Sequence, residues 1–189
     1  MPPALRTPAA VFAGGVLGTG TVLDSSRLRD LIARHVGVAV QNVHAWIVGE
    51  HGDSEFPLWS TASVGSVPLR QFSLTGRLAV GPDDEQRIAR EVVTAAERII
   101  SGKGATNYAI GLAGARVIEA VVKDENRVLP VTSLLSGHED LGEVCLSLPA
   151  VVNRGGVQAV LDVPMSVTER RLLRESAAAV GAVAHSLLG

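Results

Sequence analysis

Residues 49–54, with the sequence GEHGDS, carry the densest set of reactive side chains in this sequence. His51 has a carboxylate on each side, from Glu50 and Asp53, and an apolar segment comes directly before it. Protein scaffolds often place reactive groups where a strand ends. An imidazole beside carboxylates suits proton exchange near neutral pH. The alternative, a polar turn residue without chemistry, remains open for a single histidine.

A metal site in this region would have to use His44, His51 and Asp53. This set lacks a recognised zinc-ligand spacing and a second histidine close by. The sequence therefore does not favour a metal.

A second segment with reactive side chains is TVLDSSRLR, at residues 21–29. Asp24 and Arg27 are three positions apart, so a helix brings them to one face. Alone, they would be interpreted as an acid at the positive end of a helix and a solvated arginine. Combined with His51, the aspartate could fix the tautomer of the imidazole, and the arginine could hold a carboxylate through two parallel hydrogen bonds. The three side chains together suit a 2-oxo or 2-hydroxy acid.

A phosphate-binding loop is the obvious alternative chemistry for a glycine-rich stretch. Gly18 and Gly20 supply the first two glycines of a dinucleotide fingerprint, but Leu23 occupies the third position and no lysine follows at P-loop spacing. The sequence favours a turn here over a nucleotide site.

The elements that would position these residues follow from periodicity and capping signals. Apolar residues at helical spacing predict a first helix from near Asp24 to Gly37, followed by a strand over residues 43–48. Proline and three acids predict a second helix from Gly81, with a buried face. Gly102 and Gly104 should break this helix before a third one over residues 105–122. The predicted buried face of the second helix consists of Ile88, Val92, Ala95 and Ile99.

The last third of the sequence predicts a sheet and a closing helix. Residues 127–135 and 144–152 have strand patterns, and the turn at 153–156 leads into a third strand at 157–163. Ser166 and Glu169 form a capping-box signature ahead of an amphipathic helix. The fold class is therefore α+β, with residues 1–17 as an irregular lead-in and 18–189 as one domain.

Composition excludes several classes of protein. The 189 residues are 47% apolar and 19% charged, which is enough apolar material for a core. A net charge of −2 with scattered basic residues gives no signature of nucleic-acid binding. No apolar run is long enough to cross a bilayer. A single cysteine, Cys145, forms no internal disulfide, so we expect a cytoplasmic location.

Several segments, in this order, resemble the L-lactate dehydrogenase family within the lactate/malate dehydrogenase superfamily. Malate dehydrogenases share the LDSSR and HGD elements and are the second choice, but GEHGDSEFPLWS is similar to the lactate branch. The resemblance implies the C-terminal, substrate-binding half of that fold, with long helices packed on a small, largely antiparallel sheet. The matching segments are GTGTVLDSSRLR, VHAWIVGEHGDSEFPLWS, KGATNYAIG, DENRVLPVTSLL and GEVCLSLPAVVNRGGV.

The resemblance implies the interconversion of pyruvate and L-lactate with NADH and NAD, and a role for each matching residue. His51 would donate and accept the proton, with Asp24 as its carboxylate partner. Arg27 would bind the carboxylate of the substrate. Thr106 would contact the substrate through its hydroxyl, and Leu23 would line the same pocket. Ile110 would pack near the nicotinamide.

The same resemblance implies regulation and assembly. Arg29 and His44 match positions through which bacterial members of the family bind fructose 1,6-bisphosphate between subunits. Alternatively, Arg29 is a solvated helix residue and His44 is an edge-strand residue, and neither binds an effector. Family members are usually homotetramers, so we expect a homo-oligomer.

The resemblance covers only half of the family's architecture. The sequence has no counterpart of the NAD-binding Rossmann domain with its glycine fingerprint, of the loop arginine that polarises the substrate carbonyl, or of the asparagine that holds it. Because hydride transfer needs the nicotinamide held close to the substrate carbon, we expect negligible activity from this chain alone. We also expect exposed apolar surface and self-association. The alternative function is that of an assembly module, which keeps the fold and the oligomer contacts but catalyses no reaction.

Overall fold

A computed structural model describes residues 15–74, 76–95, 101–102, 107–138 and 141–188 of the chain. Four long helices pack around a three-stranded sheet and several two-residue strands, as the predicted α+β class requires. The helices are α1 (Val22–Val36), α2 (Pro82–Val93), α3 (Tyr108–Val122) and α4 (Val167–Leu188). Short 3₁₀ turns cover Val40–Asn42 and Leu69–Gln71.

The main sheet is antiparallel, with the order β10–β9–β8. It matches the predicted sheet, except that its third strand ends at Val160, before the predicted end at Val163. The short strands pair as β1 with β4, β4 with β5, β2 with β3, and β6 with β7. The strands are β1 (Val43–His44), β2 (Ile47–Val48), β3 (Phe56–Pro57), β4 (Ser63–Val64), β5 (Val67–Pro68), β6 (Ser73–Leu74), β7 (Arg77–Leu78), β8 (Arg127–Leu135), β9 (Val144–Asn153) and β10 (Gly156–Val160).

Helix α1 forms as its apolar spacing predicts. Leu28 and Ile32 are fully buried in one core cluster, together with Ile88 and Val92 from α2. Gly37 ends the helix in the left-handed conformation, with φ of 73°, which glycine adopts at little cost. The helix therefore has one face fixed to the core, and its first turn lies near the sheet.

The single strand predicted over residues 43–48 is two strands, which corrects that expectation. Val43–His44 pairs with Ser63–Val64, whereas Ile47–Val48 pairs with Phe56–Pro57. The chain changes partner at Trp46, whose carbonyl accepts a hydrogen bond from Leu58 N. An apolar run of this length shows that a segment is extended, but it does not show that the segment changes partner.

The break predicted at Gly102 and Gly104 falls partly outside the described residues. Helix α2 ends at Val93, Gly102 is itself helical, and Gly104 lies outside the described residues. At the end of α2, the Thr94 hydroxyl and the Thr94 backbone N–H both donate to the Arg90 carbonyl. Helix α3 begins at Tyr108 and not at Ala105, because Asn107 caps it by accepting from Tyr108 N. In the predicted buried face, Ile88 and Val92 are confirmed, Ala95 is half-buried, and Ile99 lies outside the described residues.

The Gly18–Gly20 stretch forms the predicted turn, and its glycines serve packing. Gly18 pairs with Thr132 of β8 through two backbone hydrogen bonds of 2.9 and 3.1 Å. Gly20 has φ of +49°, and a Cβ there would lie 2.6 Å from Thr132 N. Only glycine fits so close to the sheet with this backbone conformation. The turn brings the start of α1 onto the main sheet.

The closing helix carries the predicted capping box. Ser166 N donates to the Glu169 carboxylate at 2.7 Å, and Glu169 N donates back to the Ser166 hydroxyl at 3.2 Å. Helix α4 packs its apolar face on β9, with Leu173 fully buried. Within the described part of the chain, no helix combines the length and apolar character needed to cross a membrane.

Candidate active site

The structure brings Asp24, Arg27 and His51 into one cluster, as predicted. His51 Nδ1 lies 2.9 Å from Asp24 Oδ2, and Arg27 NH1 lies 2.9 Å from Asp24 Oδ1. The Asp24 side chain is only 2% exposed, Arg27 is 16% exposed, and His51 is 52% exposed. A buried carboxylate thus stands between two cationic groups, and one of these, the imidazole, faces solvent.

Helix α1 is fixed to the strand that precedes the histidine loop. Ile47 N donates to Ser25 Oγ at 2.8 Å, and Thr21 Oγ1 donates to the Ile47 carbonyl at 2.6 Å. Both hydroxyls are completely buried, so water does not compete for these bonds. This contact explains why side chains that are distant in sequence meet at a fixed distance.

The histidine loop, residues 49–55, is held from its other side by β9 and α4. Gly49 exchanges two backbone hydrogen bonds of 2.9 Å with Ser147 of β9. Glu50 N donates to the buried hydroxyl of Ser176 on α4 at 2.7 Å. Gly49 has φ of +97°, and a Cβ there would lie 2.7 Å from Ser176 Oγ. The loop therefore needs glycine at this point in order to reach both supports.

The carboxylates that flank His51 in sequence are not its partners in space. Glu50 accepts a hydrogen bond from the Ser54 hydroxyl, which ties the loop to itself. Asp53 is exposed. The partners of the imidazole are Asp24 and Glu55, and sequence reasoning missed Glu55.

Glu55 Oε2 lies 3.6 Å from His51 Nδ1, and the Glu55 side chain is only 4% exposed. Glu55 and Asp24 approach the same ring nitrogen. Neither Asp24 Oδ2 nor Glu55 Oε2 has an aligned hydrogen-bond donor among the described residues. The four-residue spacing from His51 gave no signal, because it has meaning on a helix and these residues form a loop.

The two carboxylates stabilise the charged form of the ring. Contact with Asp24 and then with Glu55 raises the pKa of His51 to about 10, although partial burial works against this. Burial raises the pKa of Glu55, and the charge of Asp24 adds to the effect, while contact with His51 opposes it. The imidazole is therefore a cation at neutral pH, with a proton available on its exposed side.

Arg27 has donors to spare. Its contact with Asp24 uses NH1, and no other hydrogen bond to Arg27 is found among the described residues. A guanidinium that is fixed at one nitrogen keeps a planar pair of donors for a carboxylate. The arrangement can therefore bind an acid beside a proton donor.

The other predicted residues are placed in three ways. Leu23 and Ile110 are half-buried and pack on one apolar cluster between α3 and the main sheet. Thr106 lies outside the described residues. Among the described residues, no hydrogen bond or ion pair joins Arg29 to His44: Arg29 stacks 5.6 Å from the ring centroid of Trp46, and His44 is exposed on β1.

A cation could in principle bridge Asp24, His51 and Glu55, whose ligand atoms lie within 4.8 Å of one another. This set differs from the His44, His51 and Asp53 set considered from sequence. Arg27 and protonated His51 already balance the two carboxylates. The cluster therefore fits a proton site better than a metal site.

The described residues do not provide a dinucleotide cradle. A cradle needs glycines that leave backbone amides open to a pyrophosphate at a helix N-terminus. Here Gly18 N is bonded to Thr132, and the space next to Gly20 is filled by Thr132 and Ser147.

The fold and this cluster define an α/β domain with a carboxylate-paired histidine beside an arginine. The chain belongs to the lactate/malate dehydrogenase family, since residues 21–184 match its alpha/beta C-terminal domain. This membership confirms the resemblance found in the sequence and its fold class.

Similar proteins are named as L-lactate dehydrogenases. One from Bifidobacterium animalis subsp. lactis is 50% identical over 166 residues, covering 87% of this chain and 52% of the relative. One from Nitratidesulfovibrio vulgaris is 44% identical over 176 residues, covering 93% and 57%. A solved lactate dehydrogenase from a Medee basin deep-sea metagenome library has a TM-score of 0.86 at 38% identity, covering 90% and 54%. The chain thus spans about half the length of its relatives.

Proposed function

We propose that this chain supplies the substrate-binding and acid–base half of an L-lactate dehydrogenase, an NAD-dependent oxidoreductase. The observation that carries the proposal is the contact of Asp24 with both His51 and Arg27 at 2.9 Å. The names of the relatives support lactate over other 2-hydroxy acids. Residues 18–189 would act as one domain for this purpose.

In this function Arg27 binds the carboxylate of pyruvate through its free guanidinium donors. The substrate carbonyl oxygen then lies at the exposed edge of His51, whose Nε2–H donates the proton as the carbonyl becomes an alcohol. Asp24 holds the opposite edge of the ring at Nδ1 and stabilises the cation before it gives up its proton. Leu23 and Thr106 would line the same pocket.

The reverse direction needs the other protonation state. Lactate oxidation requires a neutral His51 Nε2 to accept the hydroxyl proton, whereas pyruvate reduction requires the imidazolium. Because the carboxylates raise the pKa of His51, reduction is favoured at neutral pH and oxidation is favoured in alkali. The hydride itself would be exchanged with NAD, for which the described residues offer no cradle.

A chimera tests the proposal. Residues 21–184 would replace the matching half of the Bifidobacterium relative, whose remaining half would supply cofactor binding. We expect NADH oxidation with pyruvate to exceed that with oxaloacetate, and His51→Gln to reduce it about 10²- to 10⁴-fold. An active chimera that His51→Gln leaves unchanged would refute the assignment, and greater activity with oxaloacetate would favour malate chemistry.

The 189-residue chain alone should show negligible pyruvate-dependent NADH oxidation. Positioning the nicotinamide against the substrate carbon contributes several kcal/mol to catalysis, and the described residues contain no such support. Clear turnover by the chain alone at ordinary enzyme concentrations would contradict this expectation.

A regulatory anion site at Arg29 and His44 is part of the proposal. Burial, followed by the charge of Arg116, lowers the pKa of Arg29, so two guanidinium groups are close to each other. A bisphosphate such as fructose 1,6-bisphosphate would relieve this repulsion. The bisphosphate should therefore activate the chimera, and His44→Ala should weaken that activation. If activation survives His44→Ala, this site is wrongly assigned.

Assembly into a homo-oligomer, a tetramer as in the family, is supported by exposed apolar side chains. Leu112, Ile118 and Val122 on α3 are each more than 60% exposed. Apolar surface of this kind usually marks a contact with another domain or subunit.

A further inference from the structure

Glu55 takes no part in holding the substrate carboxylate or in giving the proton to the carbonyl, yet it lies in the same cluster. Its side chain is 96% removed from solvent, and Oε2 has no aligned donor. Burying a carboxylate without a partner is costly. The His51 ring lies 3.6 Å away and pairs with Glu55, whereas Arg27 is bound to Asp24.

We propose that Glu55 is a positioning residue for proton exchange at His51. Together with Asp24 it forms a two-carboxylate seat for the Nδ1–H edge of the ring, which keeps Nε2 turned outward and the ring cationic. The inference rests on the proposed function only in that proton exchange is the step Glu55 serves.

The geometry supports two carboxylates acting on one nitrogen. Asp24 Oδ2 and Glu55 Oε2 lie 2.9 and 3.6 Å from Nδ1, and both carboxylates belong to nearly buried side chains. Among the described residues, His51 Nε2 has no hydrogen-bond partner, and half of the ring is exposed. A ring held at one edge by two anions has little freedom to flip, so the same nitrogen always faces the substrate.

The balance of charge explains what the second carboxylate adds. Asp24 and Arg27 form a neutral pair. If Asp24 were the only carboxylate beside the ring, His51 could lose its proton without leaving an unpaired charge. With Glu55 present, loss of that proton leaves a buried carboxylate without a counter-ion. Glu55 therefore opposes deprotonation of His51 and biases the site toward donating a proton to a carbonyl.

The charged groups that face the ring come from α1 and from the histidine loop. Helix α1 contributes Asp24, which contacts the ring, and Arg27, which contacts Asp24. The histidine loop contributes Glu55. Helix α4 contributes the uncharged Ser176 to the loop. Asp53, on the same loop, has an exposed carboxylate and is a matched control.

The test is an NMR titration of the His51 ring in the full 189-residue chain. Glu55→Gln keeps the shape and removes the charge, so the midpoint should fall by about one pH unit or more. Asp53→Asn should leave it nearly unchanged. An unaltered midpoint in Glu55→Gln, or an equal fall in Asp53→Asn, would overturn the proposal.

Two further measurements keep the test decisive. The dispersion of the backbone amide signals reports whether each variant keeps its fold. If Glu55→Gln does not fold, Glu55→Asp keeps the charge but withdraws it by one methylene, so the midpoint should fall by a smaller amount; no change would count against the proposal. The titration needs no turnover, so it can succeed or fail whatever the chimera does.

Discussion

At the scale of residues, the site depends on the different surroundings of the two edges of one ring. The Nδ1 edge of His51 meets two carboxylates inside the protein, and the rest of the ring is exposed. A histidine free in water would lose its proton near pH 6.5. Here the carboxylates keep the proton on the ring, while the exposed edge leaves it within reach of a substrate.

Arg27→Lys tests how the substrate carboxylate is held. Lysine keeps the charge but loses the planar pair of donors, so the KM for pyruvate in the chimera should rise roughly tenfold or more, while kcat falls less. Steady-state kinetics measure both. Arg34→Lys is the control, since Arg34 lies on the same helix and is 77% exposed. Equal effects of the two substitutions on KM would contradict the assignment of Arg27 as the residue that binds the substrate carboxylate.

The residues of the site were predictable to different degrees. Asp24 and Arg27 share a helix face at a spacing that sequence reveals, and His51 stood out as an imidazole beside carboxylates. Glu55 could not be found, because its approach to the ring depends on the path of a loop fixed by Ser147 and Ser176. Glu50 and Asp53 were misleading for the same reason, since neighbours in a loop need not face one another.

At the scale of elements, two buried contacts set the distance between Asp24 and His51. One joins α1 to β2 through Ser25, and the other joins the histidine loop to α4 through Ser176. Each involves a completely buried hydroxyl. Losing either hydroxyl would leave a backbone group without a partner inside the protein.

Ser176→Ala should cost about 1–3 kcal/mol of unfolding free energy, because Glu50 N loses its buried acceptor. Urea denaturation measures the loss. Ser186→Ala on the same helix is the control, since its hydroxyl is exposed and bonds only to the local Val183 carbonyl. Equal stability of the two variants would contradict a supporting role for the Ser176 hydroxyl.

Glu169→Gln tests the cap of α4 and its link to Ser60. Burial alone would raise the pKa of Glu169, but hydrogen bonds from Ser60 and Ser166 outweigh it and lower the pKa. A lowered pKa gives stability that is present above the unfolded value and is lost as pH falls through the folded value. The variant should therefore be less stable at neutral pH by about 1–2 kcal/mol, and the difference should shrink in acid. A difference that stays constant across pH contradicts this.

Elements were predicted well where one local pattern decides them. The main sheet follows from apolar strand segments bounded by turn residues, α1 from helical spacing, and the capping box of α4 from a Ser–Glu pair. The split of residues 43–48 into two strands depends on which partner each half meets. Helix α2 ends at Val93, before the two glycines that were expected to break it, and Gly102, one of these two, is helical.

At the scale of the whole molecule, α3 has two different faces. Val117 and Ala120 are buried in the cluster that also contains Leu129 and Val131 of the main sheet. The opposite face exposes Leu112, Ile118 and Val122, next to an apolar groove lined by Leu17, Thr19, Gly114, Val117, Ile118 and Val121. None of the groove residues belongs to the histidine cluster, so this surface suits assembly more than catalysis.

The purified chain should therefore self-associate, and Ile118→Lys should shift it toward monomer. Sedimentation velocity over a range of concentrations measures the change. Val40→Lys is the control, because Val40 is 46% exposed but lies on a 3₁₀ turn away from α3. A wild-type chain that stays monomeric at all concentrations would contradict an assembly role for this face.

The central claim is that Asp24 holds His51 as a cation beside Arg27, and the ring titration of wild type against Asp24→Asn tests it most directly. The account predicts that the wild-type ring keeps its proton well above neutral pH, with a midpoint toward 10, and that Asp24→Asn lowers this midpoint markedly. A wild-type ring that loses its proton near pH 6.5, unaffected by Asp24→Asn, would contradict it.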